Sequence, residues 1–286
     1  VATWRLGGLL SAMGDESAAR SAYSSVSTAS PYWSGARLAL ASSLMKEGRP
    51  GAASSVLQTV LDADTGAVDQ ADALLALAEA ASQAGDPVRA AAIAKYAFMQ
   101  ADDTRSVKRA RALLGPLGVG HEGLLESLRK VSGASRRELK NLDVVARKRP
   151  SSLASQDPAL PMVIRAAWAL SSRADPGRAA EFLNKALAVA ENPDVKAFAL
   201  FLLGELLVDT DDDAGAARAW TRVVSEYPGS PFAAEAGFSG ARAWMRTGSH
   251  SSAVSLLKLV EDRVPAGGSS LSLRWERALA AMIAGD

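Results

Sequence analysis

Residues 193–231 read PDVKAFALFLLGELLVDTDDDAGAARAWTRVVSEYPGSP, and this stretch decides how the rest of the chain is understood. In its first half Phe198, Phe201, Leu202, Leu206 and Val208 fall close to a 3.6-residue period, which predicts a helix with small Gly204 in its middle. The run breaks at Thr210-Asp211-Asp212-Asp213. Ala216, Ala217, Trp220, Val223 and Val224 then mark one face of a second helix, with Asp211 to Asp213 supplying negative charge and capping oxygens at its amino end. Glu226-Tyr227-Pro228-Gly229-Ser230-Pro231 ends it, because proline cannot continue a helix and the residue before proline avoids helical angles.

Shifted along the chain, this two-helix unit recurs. The position of Asp211 is taken by Gly14, Gly48, Gly85, Ala174, Gly248 and Gly285, and the intervals from Ala174 to Asp211, Gly248 and Gly285 are 37 residues each. Five residues after each turn comes Ala19, Ala53, Ala90, Ala179, Ala216 and Ala253. Seven before it comes Gly7, Ala41, Ala78, Ala167, Gly204, Ala241 and Ala278. A small residue on each helix lets two backbones approach closely, and Tyr23, Leu57, Leu183, Trp220 and Leu257 are placed to fill the space beside them.

Leu203, Gly204, Leu207, Asp211, Ala216, Trp220, Val223 and Pro228 give the chain the pattern of the tetratricopeptide-repeat (TPR) family, which it resembles. The resemblance implies an all-α, right-handed superhelix (a TPR-like solenoid) of about seven helix pairs plus a terminal half repeat, holding partners without chemistry of its own. Residues 1–101 are expected to hold repeats one to three. Residues 102–158 are expected to be an irregular basic helical insert with a degenerate fourth repeat, since 89 residues separate Gly85 from Ala174. Residues 159–286 carry repeats five to seven and half of an eighth, its helix over Leu271–Ala284. Within the insert, Thr104–Leu114 reads as an extra helix and Glu122–Val131 as another. Ser135 and Glu138 are spaced as a capping box opening the next helix, with Gly133 as the turn of a fourth pair. The expected total is about sixteen helices.

Charge and composition narrow the function. The net charge is +1 from 32 basic and 31 acidic residues, which argues against a chain built to bind nucleic acid. Cysteine is absent, excluding disulfides, thiol catalysis and zinc–thiolate sites. No run reaches the roughly 18 apolar residues of a membrane span. Because the chain opens without methionine and closes where another turn would begin, both ends are expected to belong to something longer.

Motifs that carry chemistry fail on their context. Gly118-Val119-Gly120-His121-Glu122-Gly123 matches the dinucleotide-binding pattern by letter, yet a basic helix and a proline precede it where a strand is required. Asp209-Thr210-Asp211-Asp212-Asp213 opens like a calcium loop, but Ala214 and Trp220 stand where glycine and a bidentate glutamate are needed. The two histidines, His121 and His250, have no second ligand at metal spacing, and His250 is expected on the surface of a turn. No nucleophile elbow, Walker loop or H-E-x-x-H is present. No catalytic residue, cofactor or metal is therefore assigned, and the chain is not expected to be an enzyme.

Two features suggest binding. Residues 104–149 carry twelve Lys or Arg against four acids. This is either a solvated face or a dock for an acidic partner or anionic glycan, with Arg129, Lys130, Arg136 and Arg137 as its candidates. The first helices also repeat an apolar stripe, Trp4, Leu38, Leu75, Ile164, Phe201, Phe238 and Trp275, which either packs between helices or lines a groove for a protein or peptide. Polar candidates on the same helices are Lys46, Glu79, Glu205, Arg242 and Arg246, whose mixed signs do not suit a clamp for a terminal carboxylate. The groove set is thus Phe201, Glu205, Phe238, Arg242 and Trp275.

Tyr227 to Ala236 and the 37-residue spacing are similar to TPR proteins of the Gram-negative envelope, such as outer-membrane assembly lipoproteins and Tol-Pal coordinators. That likeness implies a periplasmic or envelope scaffold, with the cytoplasm as the other compartment. Arg274-Trp275-Glu276-Arg277-Ala278 is loosely similar to helices of soluble lytic transglycosylases, which implies the alternative of a superhelical scaffold whose catalytic domain lies outside this chain.

Overall fold

The computed structural model describes residues 2–63, 67–101, 103–119, 122–172 and 175–265. Among these there are sixteen α-helices and no strand. The described residues fall into two compact units, one running to Val119 and the other beginning after it.

The first unit contains α1 (Ala2–Ala12), α2 (Glu16–Ser24), α3 (Trp33–Lys46), α4 (Pro50–Asp62), α5 (Ala67–Gln83), α6 (Pro87–Gln100) and α7 (Thr104–Leu114). α1 packs on α2, α3 on α4 and α5 on α6, each pair resting on the next, and α7 covers α5 and α6. The second unit contains α8 (Glu122–Ser132), α9 (Arg136–Lys148), α10 (Pro150–Ala154), α11 (Leu160–Ser172), α12 (Pro176–Val189), α13 (Pro193–Asp209), α14 (Asp213–Glu226), α15 (Ala233–Arg246) and α16 (His250–Arg263). Its pairs are α11 with α12, α13 with α14 and α15 with α16.

The turns between paired helices share one backbone solution. Gly14, Gly48, Gly85, Asp211 and Gly248 have φ of 83°, 71°, 82°, 60° and 76°, the left-handed conformation that closes a helix and redirects the chain. These are the turn positions of the regular repeats read from the sequence; Ala174 and Gly285 lie outside the described residues, and Gly133, the turn expected for a fourth pair, does not share this conformation. The next helix is then capped. Asp15, Asp86, Asp175 and Asp212 accept the backbone N–H of Ala18, Arg89, Arg178 and Gly215 at 2.7–2.9 Å. Pro50, Pro87, Pro176 and Pro193 open their helices, where a missing N–H costs nothing.

Small-to-large packing joins each pair. Ala19, Ala53, Ala90, Ala179, Ala216 and Ala253 are all wholly buried, and so are Leu57, Leu183 and Leu257. At Gly7 an added β-carbon would stand 2.5 Å from the Tyr23 ring, so only glycine admits that ring. Helix α13 is apolar almost all round because α8, α11, α12, α14 and α15 all touch it. Phe198 stacks on Phe232 with centroids 4.5 Å apart, fastening α13 to the start of α15.

The middle of the chain departs from the expected pair. The capping box at Ser135 and Glu138 is present and opens α9. However, α9 packs on α11, while α8, only three residues away in sequence, has α13 as its main neighbour. The short helix α10 was not foreseen. It follows Arg149 directly, with Pro150 restarting the helix, and braces α9 and α11. The helix expected over Leu271–Ala284 lies outside the described residues.

Candidate docking groove in the second unit

The first helices of successive pairs, α11, α13 and α15, turn one face each into a common groove of about 740 Å³. Periodicity explains which side chains arrive there. On α13 they are Phe198, Phe201, Leu202, Glu205, Val208 and Asp209, and on α15 they are Glu235, Ser239, Arg242 and Arg246, each set one helical stripe. Val131 and Ser132 at the end of α8 close one side.

The floor is aromatic and held from behind. Phe201 is 8% exposed, and its ring lies 6.4 Å from Trp220 and 6.1 Å from Phe232. Trp220 Nε1 donates to the Phe201 carbonyl at 3.1 Å, a hydrogen bond between the second helix and the first. The indole can sit there because residue 204 has no side chain.

Above this floor stand carboxylates. Glu205 and Glu235 remain reachable by solvent, yet the concave wall removes much of their hydration. Desolvation, then the charge of Glu235, then that of Asp209, raise the Glu205 carboxyl from the usual 4.5 to about 7. Desolvation raises Glu235 as well. Arg246 does not neutralise them, being committed to Asp213 through Nε at 2.9 Å and Nη2 at 2.5 Å. That pairing holds Asp213 below the usual carboxylate range. Neither Glu205 nor Glu235 has an ion-pair partner among the described residues. A cationic or hydrogen-bond-donating group laid over the aromatic floor would meet both.

Of the residues singled out in the sequence, Phe201, Glu205, Arg242 and Arg246 come together in this groove. Phe238 is half-buried and does not line it, because it lies round the helix from the Glu235–Arg246 stripe. Trp275 lies outside the described residues. Arg129 and Lys130 are on α8, with Lys130 3.7 Å from Glu126, and Arg136 and Arg137 are exposed on the first turn of α9. Elsewhere, Glu79 accepts from Arg109 at 3.0 Å and Lys46 sits 3.6 Å from Glu16. The stripe divides as both of its readings allow: Leu75 and Ile164 are core, whereas Trp4, Leu38 and Phe238 keep partial exposure.

Sequence reasoning passed over Glu235, although Glu235, Ser239, Arg242 and Arg246 recur at four, three and four residues, the signature of a single helix face. His250 differs from expectation. It is half-buried at the start of α16, with Nδ1 out of solvent. His121 is outside the described residues. No group of three or more metal-ligating side chains occurs among the described residues, and no described helix is long and apolar enough to cross a membrane.

The tetratricopeptide-repeat model matches residues 198–230, which run from the floor of the groove through Trp220 to the turn before α15. The chain carries tetratricopeptide repeats. Arrays of such repeats present extended concave binding surfaces. No curated protein matches the chain. Among solved structures it is similar to one described as the crystal structure of the APC/C hetero-tetramer Cut9–Hcn1, with 14% identity and a TM-score of 0.31. The likeness covers 99% of this TPR chain and 64% of the other.

Proposed function

We propose that the second unit of this scaffold holds a segment of a partner protein in the groove of α11, α13 and α15, as part of a bacterial cell-envelope assembly. The observation that carries the groove reading is the pair Glu205 and Glu235, without ion partners among the described residues, over the floor of Phe201 and Phe232. Unpaired carboxylates beside apolar surface cost stability in the empty protein, and a cationic partner segment would recover it. The envelope setting is supported by the likeness of Tyr227 to Ala236 to envelope TPR proteins. On the same unit, Arg136 and Arg137 give an acidic partner region or anionic glycan a second contact.

The test is a photo-crosslinking amino acid at Ser239, inside the groove, compared with one at exposed Arg218 on α14, in a Gram-negative envelope extract. The groove position is expected to yield a discrete protein adduct that Arg218 does not, lost in Glu205→Arg. Equal adducts from both positions, or a groove adduct indifferent to Glu205→Arg, would exclude the groove as the docking site.

A further inference from the structure

Helix α8 does not behave as a member of the repeat. Gly133, Ala134 and Ser135 alone join it to α9, a connection short enough for an antiparallel pair, yet the pair does not close and α8 lies against α13. Its apolar residues are Leu124, Leu125, Leu128 and Val131, spaced i, i+1, i+4 and i+7 along one face, and all four are buried. Ser127 Oγ donates to Gln156 Oε1 at 2.8 Å, anchoring the helix beside the approach to α11. At its carboxyl end Val131 and Ser132 form the edge of the open groove, next to the face that carries Phe198, Phe201 and Glu205. The opposite side of α8 is a solvent face, where Glu126 and Lys130 form an i, i+4 pair. An amphipathic helix that lies on the first-helix face without completing a repeat has the geometry of a ligand.

We propose that α8 is the chain's own occupant of this docking face, and that the partner presents an amphipathic helix of the same spacing which displaces it. Continuity argues for the match, since Val131, the last of the buried apolar residues of α8, lines the open groove together with Phe198, Phe201 and Leu202 of α13. Charge complementarity argues for the partner's other half. Beyond the end of α8 the groove presents Glu205, Asp209 and Glu235 against Arg242, so the incoming helix carries lysine or arginine about two turns past its apolar residues. The inference rests on the groove reading for its partner, but not for the detachment of α8, which is measurable by itself.

Two measurements test it. In native-state hydrogen exchange of the unaltered chain, α8 amides are expected to exchange through local opening about 100-fold or more faster than those of α13. Exchange of α8 as slow as that of α13 would overturn the proposal, because α8 would then leave only on global unfolding. The second probe is a fluorescent peptide of residues 122–134, EGLLESLRKVSGA. A Leu125→Asp/Leu128→Asp chain, its own α8 unable to bind, is expected to take up this peptide at least about tenfold more tightly than the unaltered chain. A folded variant that binds no more tightly overturns the proposal, and if the variant fails to fold the exchange experiment decides alone. Peptide uptake with no adduct at Ser239 would retain α8 as occupant and reject the partner reading.

Discussion

A β-carbon on Gly204 would stand 2.4 Å from Cε2 of Trp220, so the indole occupies the volume that a side chain at 204 would need. Gly7 and Tyr23 share this solution, whereas in three other pairs the same two positions are held by Ala41 and Leu57, Ala167 and Leu183, and Ala241 and Leu257, all buried. Gly204→Ala gains about 1 kcal/mol of helix propensity. It then loses about 1–3 kcal/mol to overlap with a rigid ring. A lower urea midpoint is expected for Gly204→Ala, and Trp220→Ala should cost about 3–5 kcal/mol by leaving a cavity. Gly204→Ala/Trp220→Leu rebuilds the pair used elsewhere and should be more stable than the sum of its single changes. Additive effects would show that the two residues do not share the space.

Asp211 is the only non-glycine with positive φ among the described residues, at 60°. Left-handed backbone costs an L-residue roughly 1–2 kcal/mol, less for aspartate, whose short side chain bonds locally. Asp211→Gly should therefore raise stability by about 0.5–1 kcal/mol despite the added freedom of the unfolded chain. Gly248→Ala, at φ 76°, should lower it by about 1 kcal/mol or more. The pair of opposite signs, read by chemical denaturation, checks the turn assignment at two positions 37 residues apart.

Ala216 and Ala217 are both wholly buried. Repeat register alone predicts that Ala216→Leu overpacks α13 and α14 while Ala217→Leu, one residue round the helix, is milder. The structure removes that difference. α14 is enclosed on two sides, and the Ala217 carbonyl lies 3.7 Å from where a side chain on Gly240 of α15 would begin. Each substitution is expected to cost about 1–3 kcal/mol in a denaturant titration.

That contrast shows how far the sequence could be read. Turns, caps and the buried small residues of each pair are local or periodic signals, and they recur at fixed spacing through both units. What escaped is what depends on the neighbouring pair. Ala217 is buried by α15, Glu235 becomes a groove residue only beside Glu205, and α8 has a helical period that says nothing of which helix receives its leucines. In the basic segment, likewise, the sequence does not show which charges are matched within the unit: Arg109 pairs with Asp72 and Glu79, and Arg147 with buried Asp143.

Glu205 makes a pH prediction with a definite sign. Its carboxyl is raised from 4.5 to about 7 by desolvation, Glu235 and Asp209, so between these values the folded chain holds a proton that the unfolded chain has released. Stability then falls as pH rises through this window and levels off above it. The groups facing it are Glu235, Asp209, Arg242 and the Asp213-paired Arg246. Glu205→Gln, neutral throughout, should flatten the decline in thermal midpoint between about pH 5 and pH 8. An unchanged slope would place the titrating proton elsewhere.

Asp157 is buried and is acceptor to three backbone N–H groups, those of Ala159 at 2.8 Å, Glu191 at 3.1 Å and Asn192 at 2.8 Å. The first immediately precedes α11 and the other two lie in the turn between α12 and α13, so one carboxylate joins the entries of two first helices whose faces form the groove. No other repeat among the described residues supplies this bond, because here the irregular segment around α10 runs into the regular array. Asp157→Ala leaves those donors without their acceptor, at a cost of about 1–3 kcal/mol for each group that water cannot reach. Asp157→Asn keeps one carbonyl oxygen and should recover part of the loss, whereas a surface aspartate would tolerate both changes within about 0.5 kcal/mol. The expected order in urea midpoint is unaltered chain, then Asp157→Asn, then Asp157→Ala. Because the bonds set how α11 and α13 lie beside one another, Asp157→Asn should also weaken partner adducts at Ser239 although it touches no part of the groove; stability loss with full adduct yield would confine Asp157 to holding the fold.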